Sequence, residues 1–72
     1  MKKIKGNLVK KRRKKLRKTI ADIAKETGLS ITTIFRVETE KSDTSVFVLA
    51  TLADYFGVST DYLLGRDGNG KT

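Results

Sequence analysis

The sequence predicts an all-α fold, five short helices gathered around one small core. Three observations carry that prediction. Apolar residues recur at helical spacing, as in Val46, Leu49, Ala53 and Phe56. Hydroxyl residues able to accept from the free N–H groups of a first helical turn stand at Thr19, Ser30 and Ser59. Glycines follow helical stretches at Gly28, Gly57 and Gly65, where the chain has to stop or reverse. The 72 residues are read as a single domain. A domain of that size buries only about 60% of the surface its unfolded chain exposes, so its core must be efficient.

Taken in order, residues 1–6 read as a flexible basic arm, 7–65 as the folded domain and 66–72 as a disordered, glycine-containing tail. The first helix is expected over about 7–17, the second over 20–27 and the third over 31–38, with a loop at 39–44. The fourth helix, about 45–56, places Val46, Leu49, Ala53 and Phe56 on one face with Leu52 beside it, which leaves Phe47 exposed on the other. Such an exposed aromatic is either a partner contact or a lone surface residue. Ser59 caps a short fifth helix that runs to Leu64.

The second and third helices and the turn between them are the most informative stretch. Two helices that cross at about 90–120° over a three- or four-residue turn tolerate only a small side chain at their closest point, and Ala24 supplies it. Gly28 can take the positive φ of the turn without a Cβ penalty. Ile23, Leu29, Ile34 and Val37 point inward from both sides and close a core under the turn. Any two amphipathic helices joined by glycine would share part of this pattern, so the flanking sequence matters.

Charge is distributed very unevenly. Eleven cations and no acid occupy the first eighteen residues, whereas the remainder carries five cations and eight acids, so +11 against −3 leaves the net +8. Like charges at i and i+4, such as Lys10 with Lys14 and Lys11 with Lys15, each cost a few tenths of a kcal/mol in an isolated helix, a penalty that phosphates relieve. A membrane surface is the competing polyanion. The basic segment offers only Leu8, Val9 and Leu16 as apolar groups, too few to insert, and nucleic acid is favoured.

With no cysteine and no histidine, the composition excludes disulfides, thiolate chemistry, zinc fingers and histidine acid–base catalysis. No catalytic residue, metal site or cofactor is expected. The longest apolar run, Val46 to Ala50, falls far short of the roughly 20 residues that span a bilayer, and the lysine-rich start lacks a signal peptide's apolar stretch. A soluble, cytoplasmic, nucleoid-associated protein with no membrane partner is the expectation.

Several stretches together resemble the phage Cro and repressor type of helix-turn-helix, the XRE family. They are KKRRKKL at Lys10 to Leu16, T-x-x-x-I-A at Thr19 to Ala24, ETGLS at Glu26 to Ser30, TTIFRVE at Thr32 to Glu38, and LADYFGVSTDYLLG at Leu52 to Gly65. The central part also looks like the headpiece of the LacI type, but the segment after it follows the Cro and repressor pattern. The resemblance implies a five-helix domain that binds double-stranded DNA. It also implies that Arg13 forms an ion pair with Glu38; if that pair is buried, loss of either partner costs about 3–5 kcal/mol. Lys10 and Arg13 on the first helix, and Thr19 and Ile20 at the start of the second, are then expected phosphate contacts. The family usually has a phosphate-binding glutamine where this chain has Ile20, so only the backbone N–H groups at that helix end can serve.

Proteins of this shape read base edges with the outward residues of the third helix. Here those are Ser30, Ile31, Thr32, Phe35 and Arg36, with Thr39 at the margin as a phosphate contact. Arg36 matches guanine O6 and N7, and Ile31, Thr32 and Phe35 suit thymine methyl groups. Phe35 folding back as core is the competing reading. In the following loop, Glu40 and Thr44 replace the glycine and proline common in the family; Lys41 and Ser42 remain as phosphate contacts beside the acids Glu40 and Asp43. The family also implies a homodimer on a palindromic operator, with Thr60, Asp61 and Leu64 at the interface and Tyr62 and Leu63 as easily core.

The function expected is a sequence-specific DNA-binding transcriptional regulator, a repressor or Cro-like protein. Two alternatives stand beside it: a helix-turn-helix protein-interaction module (adaptor, antitoxin or antirepressor), and a sequence-blind nucleic-acid binder using the N-terminal cations.

Overall fold

A computed structural model describes residues 4–39 and 44–65, and within them the chain is entirely helical, without strands. The five helices are α1 (Gly6–Lys15), α2 (Ile20–Thr27), α3 (Ile31–Thr39), α4 (Val46–Phe56) and α5 (Thr60–Leu63). The expected order and number hold, and the boundaries move by no more than two residues.

Local chemistry explains where four of the helices begin. Thr19 Oγ1 accepts from Asp22 N at 3.0 Å while Asp22 Oδ2 accepts from Thr19 N at 2.9 Å, a reciprocal cap that satisfies two donors at once. The same hydrogen bonds hold the Asp22 carboxyl below its ordinary pKa, the backbone N–H of Thr19 being the largest influence. Ser30 Oγ accepts from Thr33 N at 3.0 Å, Ser45 Oγ from Val48 N at 3.2 Å and Ser59 Oγ from Tyr62 N at 3.0 Å. α1 has no side-chain cap.

Turn chemistry explains where the helices stop. Gly28 lies at φ 81° and closes α2 with an N–H bond to Ala24 O at 2.9 Å. Thr27 stiffens the same turn: its hydroxyl donates to Ile23 O at 2.7 Å and accepts from Leu29 N at 3.2 Å. After α1 the chain turns through Arg17 at φ 57°, a conformation that costs a residue with a side chain about 1 kcal/mol.

The core is formed by Ile4, Val9, Ile23, Ala24, Ile34, Val37, Leu52, Ala53 and Leu63. Each large member contributes on the order of 1.5–3 kcal/mol by leaving water. Around this core α3 packs on both α1 and α2, α5 packs on α4 and α1, and α2 packs on α4. Tyr62 and Leu64 are half-buried beside the fully buried Leu63.

Two expectations are corrected. Of the arm foreseen over 1–6, residues 4–6 belong to the domain: Ile4 is buried, Lys5 N donates to Leu63 O at 2.7 Å, and Gly6 starts α1. Gly6 sits where α1 meets the end of α3 so closely that an added Cβ would land on the carbonyl oxygens of Val37 and Glu38. Lysines on both sides of Ile4 masked an apolar anchor in the sequence. Residues 1–3 and 66–72 lie outside the described residues.

The second correction concerns Val46, expected on the inward face of α4 but 80% exposed. It is the first helical residue, at the edge of a stripe centred on Leu49, Leu52, Ala53 and Phe56, and no described element reaches that far along the helix to cover it. Phe47, expected outside, is 70% exposed.

Candidate nucleic-acid interface

α3 is a short helix with two different faces. Ile34 and Val37 lock its inner side into the core. At about 100° per residue, Thr32, Phe35, Arg36 and Thr39 fall on the opposite side, and all four are exposed. Ile31 and Phe35 are 55% and 51% exposed, large apolar groups held in water by a helix whose other side has no freedom to rotate. The reading of Phe35 as core is therefore excluded, and four of the five expected base-reading residues stand together on one solvent-facing surface.

Ser30 behaves differently. Its oxygen caps α3 through Thr33 N, and its hydroxyl donates to Thr33 Oγ1 at 2.8 Å. Thr39 Oγ1 donates to the carbonyls of Phe35 and Arg36 at 3.0 and 3.3 Å, back-bonding that closes the last turn of α3. Lys41 and Ser42, together with Glu40 and Asp43, lie outside the described residues.

The orientation of α3 is fixed by an ion pair. Arg13 Nε donates to Glu38 Oε2 at 2.6 Å and Nη2 to Oε1 at 3.0 Å, a bidentate fork, while Nη1 donates to Lys18 O at 3.0 Å. The side chains are 13% and 5% exposed. Glu38 raises the Arg13 pKa, chiefly through the hydrogen bond and against the lowering effect of burial. With all three nitrogens engaged inside the domain, Arg13 belongs to the framework that holds α3.

Three further contacts tie the helices together. Glu26 accepts from Lys18 Nζ at 2.8 Å and from the Tyr55 hydroxyl, tying the end of α2 to the α1–α2 turn and to α4. The Lys18 hydrogen bond is the largest influence lowering the Glu26 pKa, and the Glu26 hydrogen bond raises those of Lys18 and Tyr55. Arg12 lies 5.2 Å over the Tyr62 ring and joins α1 to α5. No local motif announces these contacts, because their side chains look like ordinary surface and two of the three join residues distant in sequence.

The remaining expected contacts are dispersed. Lys10 and Thr19 are exposed, Ile20 is half-buried against the core, and Thr60 and Asp61 are exposed beside the half-buried Leu64. At the start of α2 the Asp22 carboxylate occupies part of the helix end, leaving the N–H groups of Ile20 and Ala21 for an outside acceptor.

A crossed pair of helices with a left-handed glycine between them, and a second helix that presents an exposed face, defines a DNA-binding helix-turn-helix protein. A family model described as helix-turn-helix matches residues 9–63, from within α1 to the end of α5, and the chain belongs to that family, of the XRE type. It is a family of DNA-binding regulatory domains rather than of enzymes. No curated protein and no solved structure matches the chain. Among the described residues no helix is long and apolar enough to cross a membrane.

Proposed function

We propose that this DNA-binding regulator is sequence-specific, a repressor or Cro-like protein that reads the major groove of a palindromic operator with α3 and acts as a homodimer to occlude promoter DNA. The observation that carries the reading is the outer face of α3, where Ile31, Thr32, Phe35 and Arg36 are exposed on a helix anchored by Ile34, Val37 and the Arg13–Glu38 pair. In this reading Arg36 pairs with guanine and Ile31, Thr32 and Phe35 contact thymine methyl groups. Ser30 sets the start of the helix. Lys10, Thr39, Lys41, Ser42 and the N–H groups at the start of α2, next to Thr19 and Ile20, position the backbone, and Thr60, Asp61 and Leu64 meet the second protomer.

Competitive gel shifts test the proposal. A duplex enriched from a random pool should bind at least about a thousandfold more tightly than arbitrary duplex at the same salt. Equal binding of both would refute it.

The exposed apolar residues Ile31, Phe35, Val46 and Phe47 favour a second reading, in which the domain docks a protein. Arg36→Ala separates the two: a DNA reader loses base selectivity, whereas a docking module keeps its partner until Phe35 is also truncated.

A further inference from the structure

α1 and α3 pack against each other, so what each presents to solvent points in a different direction. Arg13 marks the side of α1 that faces α3, because its guanidinium grips Glu38. At about 100° per residue, Lys11 and Lys15 each lie about 160° from Arg13 around the helix, Lys14 about 100° and Lys10 only about 60°. On α3, Glu38 marks the side facing α1, and Arg36 and Thr32 lie about 160° and 120° away from it. The Thr32 and Arg36 side of α3 and the Lys11 and Lys15 side of α1 therefore point away from each other, with Lys14 at the edge of the latter, while Phe35 and Ile31, about 60° and 20° from Glu38, lie on the flank of α3 nearer α1. Lys10 stays on the flank nearer α3.

All three lysines are exposed, and neither ion pair among the described residues involves any of them. They span about 6 Å of helix axis, an average spacing of about 3 Å between charges. That is within a factor of two of the one charge per about 1.7 Å that a nucleic-acid duplex presents along its axis. The face carries no aromatic ring on which an unpaired base could stack, which disfavours single strands. Its one strongly exposed apolar neighbour, Leu16, gives too little surface for a bilayer.

We propose that Lys11, Lys14 and Lys15 form a second, sequence-blind binding surface for the phosphate backbone of another duplex, so that a protein seated on one DNA segment through α3 bridges to a second. The bridging part rests on α3 being a DNA-reading face. The lysine face itself does not.

The test uses the full chain, a bead-bound duplex carrying a site enriched from a random pool, and a labelled free duplex of arbitrary sequence. Wild-type protein should retain the labelled duplex on the beads at low salt. Lys11→Gln/Lys14→Gln/Lys15→Gln should reduce that retention about tenfold or more, while its affinity for the enriched site alone falls much less and its far-UV circular dichroism is unchanged. Lys10→Gln should weaken the single-duplex complex and lower retention only in proportion, so that the labelled duplex held per bead-bound protein is unchanged. The proposal is overturned if wild type retains no second duplex. It is overturned too if the triple variant still bridges, or if it loses single-site binding and bridging to the same degree, since the lysines would then touch the same duplex as α3. Failure of enrichment to yield any preferred site would count against the α3 reading instead. In that case gel-shift affinity of the triple variant for arbitrary duplex would still decide the lysine face: a drop of about tenfold or more supports it, and unchanged affinity overturns it.

Discussion

α1 and α3 are adjacent helices of nearly equal length with contrasting surfaces. α1 carries six cations between Lys10 and Lys15 and no acid; α3 carries one outward cation, Arg36, and turns its acid, Glu38, inward. Dense like charge binds any phosphate backbone and falls off with salt, whereas a sparse face of one guanidinium, methyl groups and a ring binds weakly but distinguishes bases. In the proposed function the contrast separates affinity from selectivity, and Arg13–Glu38 ties α1 to α3 between the two surfaces.

The largest expected effect comes from breaking that strut. Glu38→Ala leaves the largely buried guanidinium of Arg13 without its carboxylate and should cost about 3 kcal/mol in denaturant unfolding, at the lower end for a buried pair because Arg13 keeps some contact with water. Arg13→Ala should cost about as much, and the double variant clearly less than the sum. Additive losses would mean that the pair is not coupled. Gly6→Ala attacks the same seam through the backbone, forcing α1 away from the carbonyls of Val37 and Glu38 at a cost of about 1–3 kcal/mol.

The next effect sharpens the contrast from the side of α3. Arg36→Ala should leave the unfolding midpoint almost unchanged, since the residue is exposed, yet remove about 1–3 kcal/mol of discrimination at one base position. Phe35→Ala should likewise change stability by no more than about 0.5 kcal/mol while weakening specific binding. A large loss of stability would contradict its outward placement.

The side of α1 is probed by salt. Lys10→Gln should lower the slope of log affinity against log salt by about 0.9, the value for one phosphate contact, without altering which sequences are preferred. The smallest effect is that of pH. The carboxyls of Asp22 and Glu26 titrate lower in the folded state than in the unfolded chain, so their stabilisation is present above the ordinary carboxylate range near pH 4 and is lost as pH falls through their folded values. Lys18 and Tyr55 are raised, and what they add is lost as pH rises above about 10. Thermal unfolding should be flat between about pH 5 and 9 and decline on both sides, only slightly because Asp22 and Glu26 are exposed and Lys18 and Tyr55 only half-buried. Glu26→Gln should shrink both declines.

The fold was largely legible because its punctuation is local: a hydroxyl at Thr19, Ser30 or Ser59 caps the next turn, and Gly28 or Gly57 ends the last one. The turn core of Ile23, Ala24, Ile34 and Val37 was legible for the same reason, since its spacing is helical. What escaped depends on distant partners. Ile4 reads as part of a lysine arm until Leu63 O is seen to hold the neighbouring Lys5 N, and Gly6 reads as a loop glycine until α3 is placed against it. Val46 has the right period for the core and the wrong position along its helix. Arg13–Glu38 was accessible through family resemblance alone, as composition pairs no cation with any particular acid. On α3, the exposure of Phe35 rules out a core role, and the capping bonds of Ser30 distinguish it from its neighbours.

The most direct test of a fixed, outward-reading α3 is parallel enrichment of duplexes from one random pool by the wild-type protein and by Arg36→Ala. The expected result is a palindromic motif for the wild type containing a guanine in each half-site, with the preference at that one position lost in the variant and the others kept. Identical motifs from the two proteins, or no motif from the wild type, would contradict it.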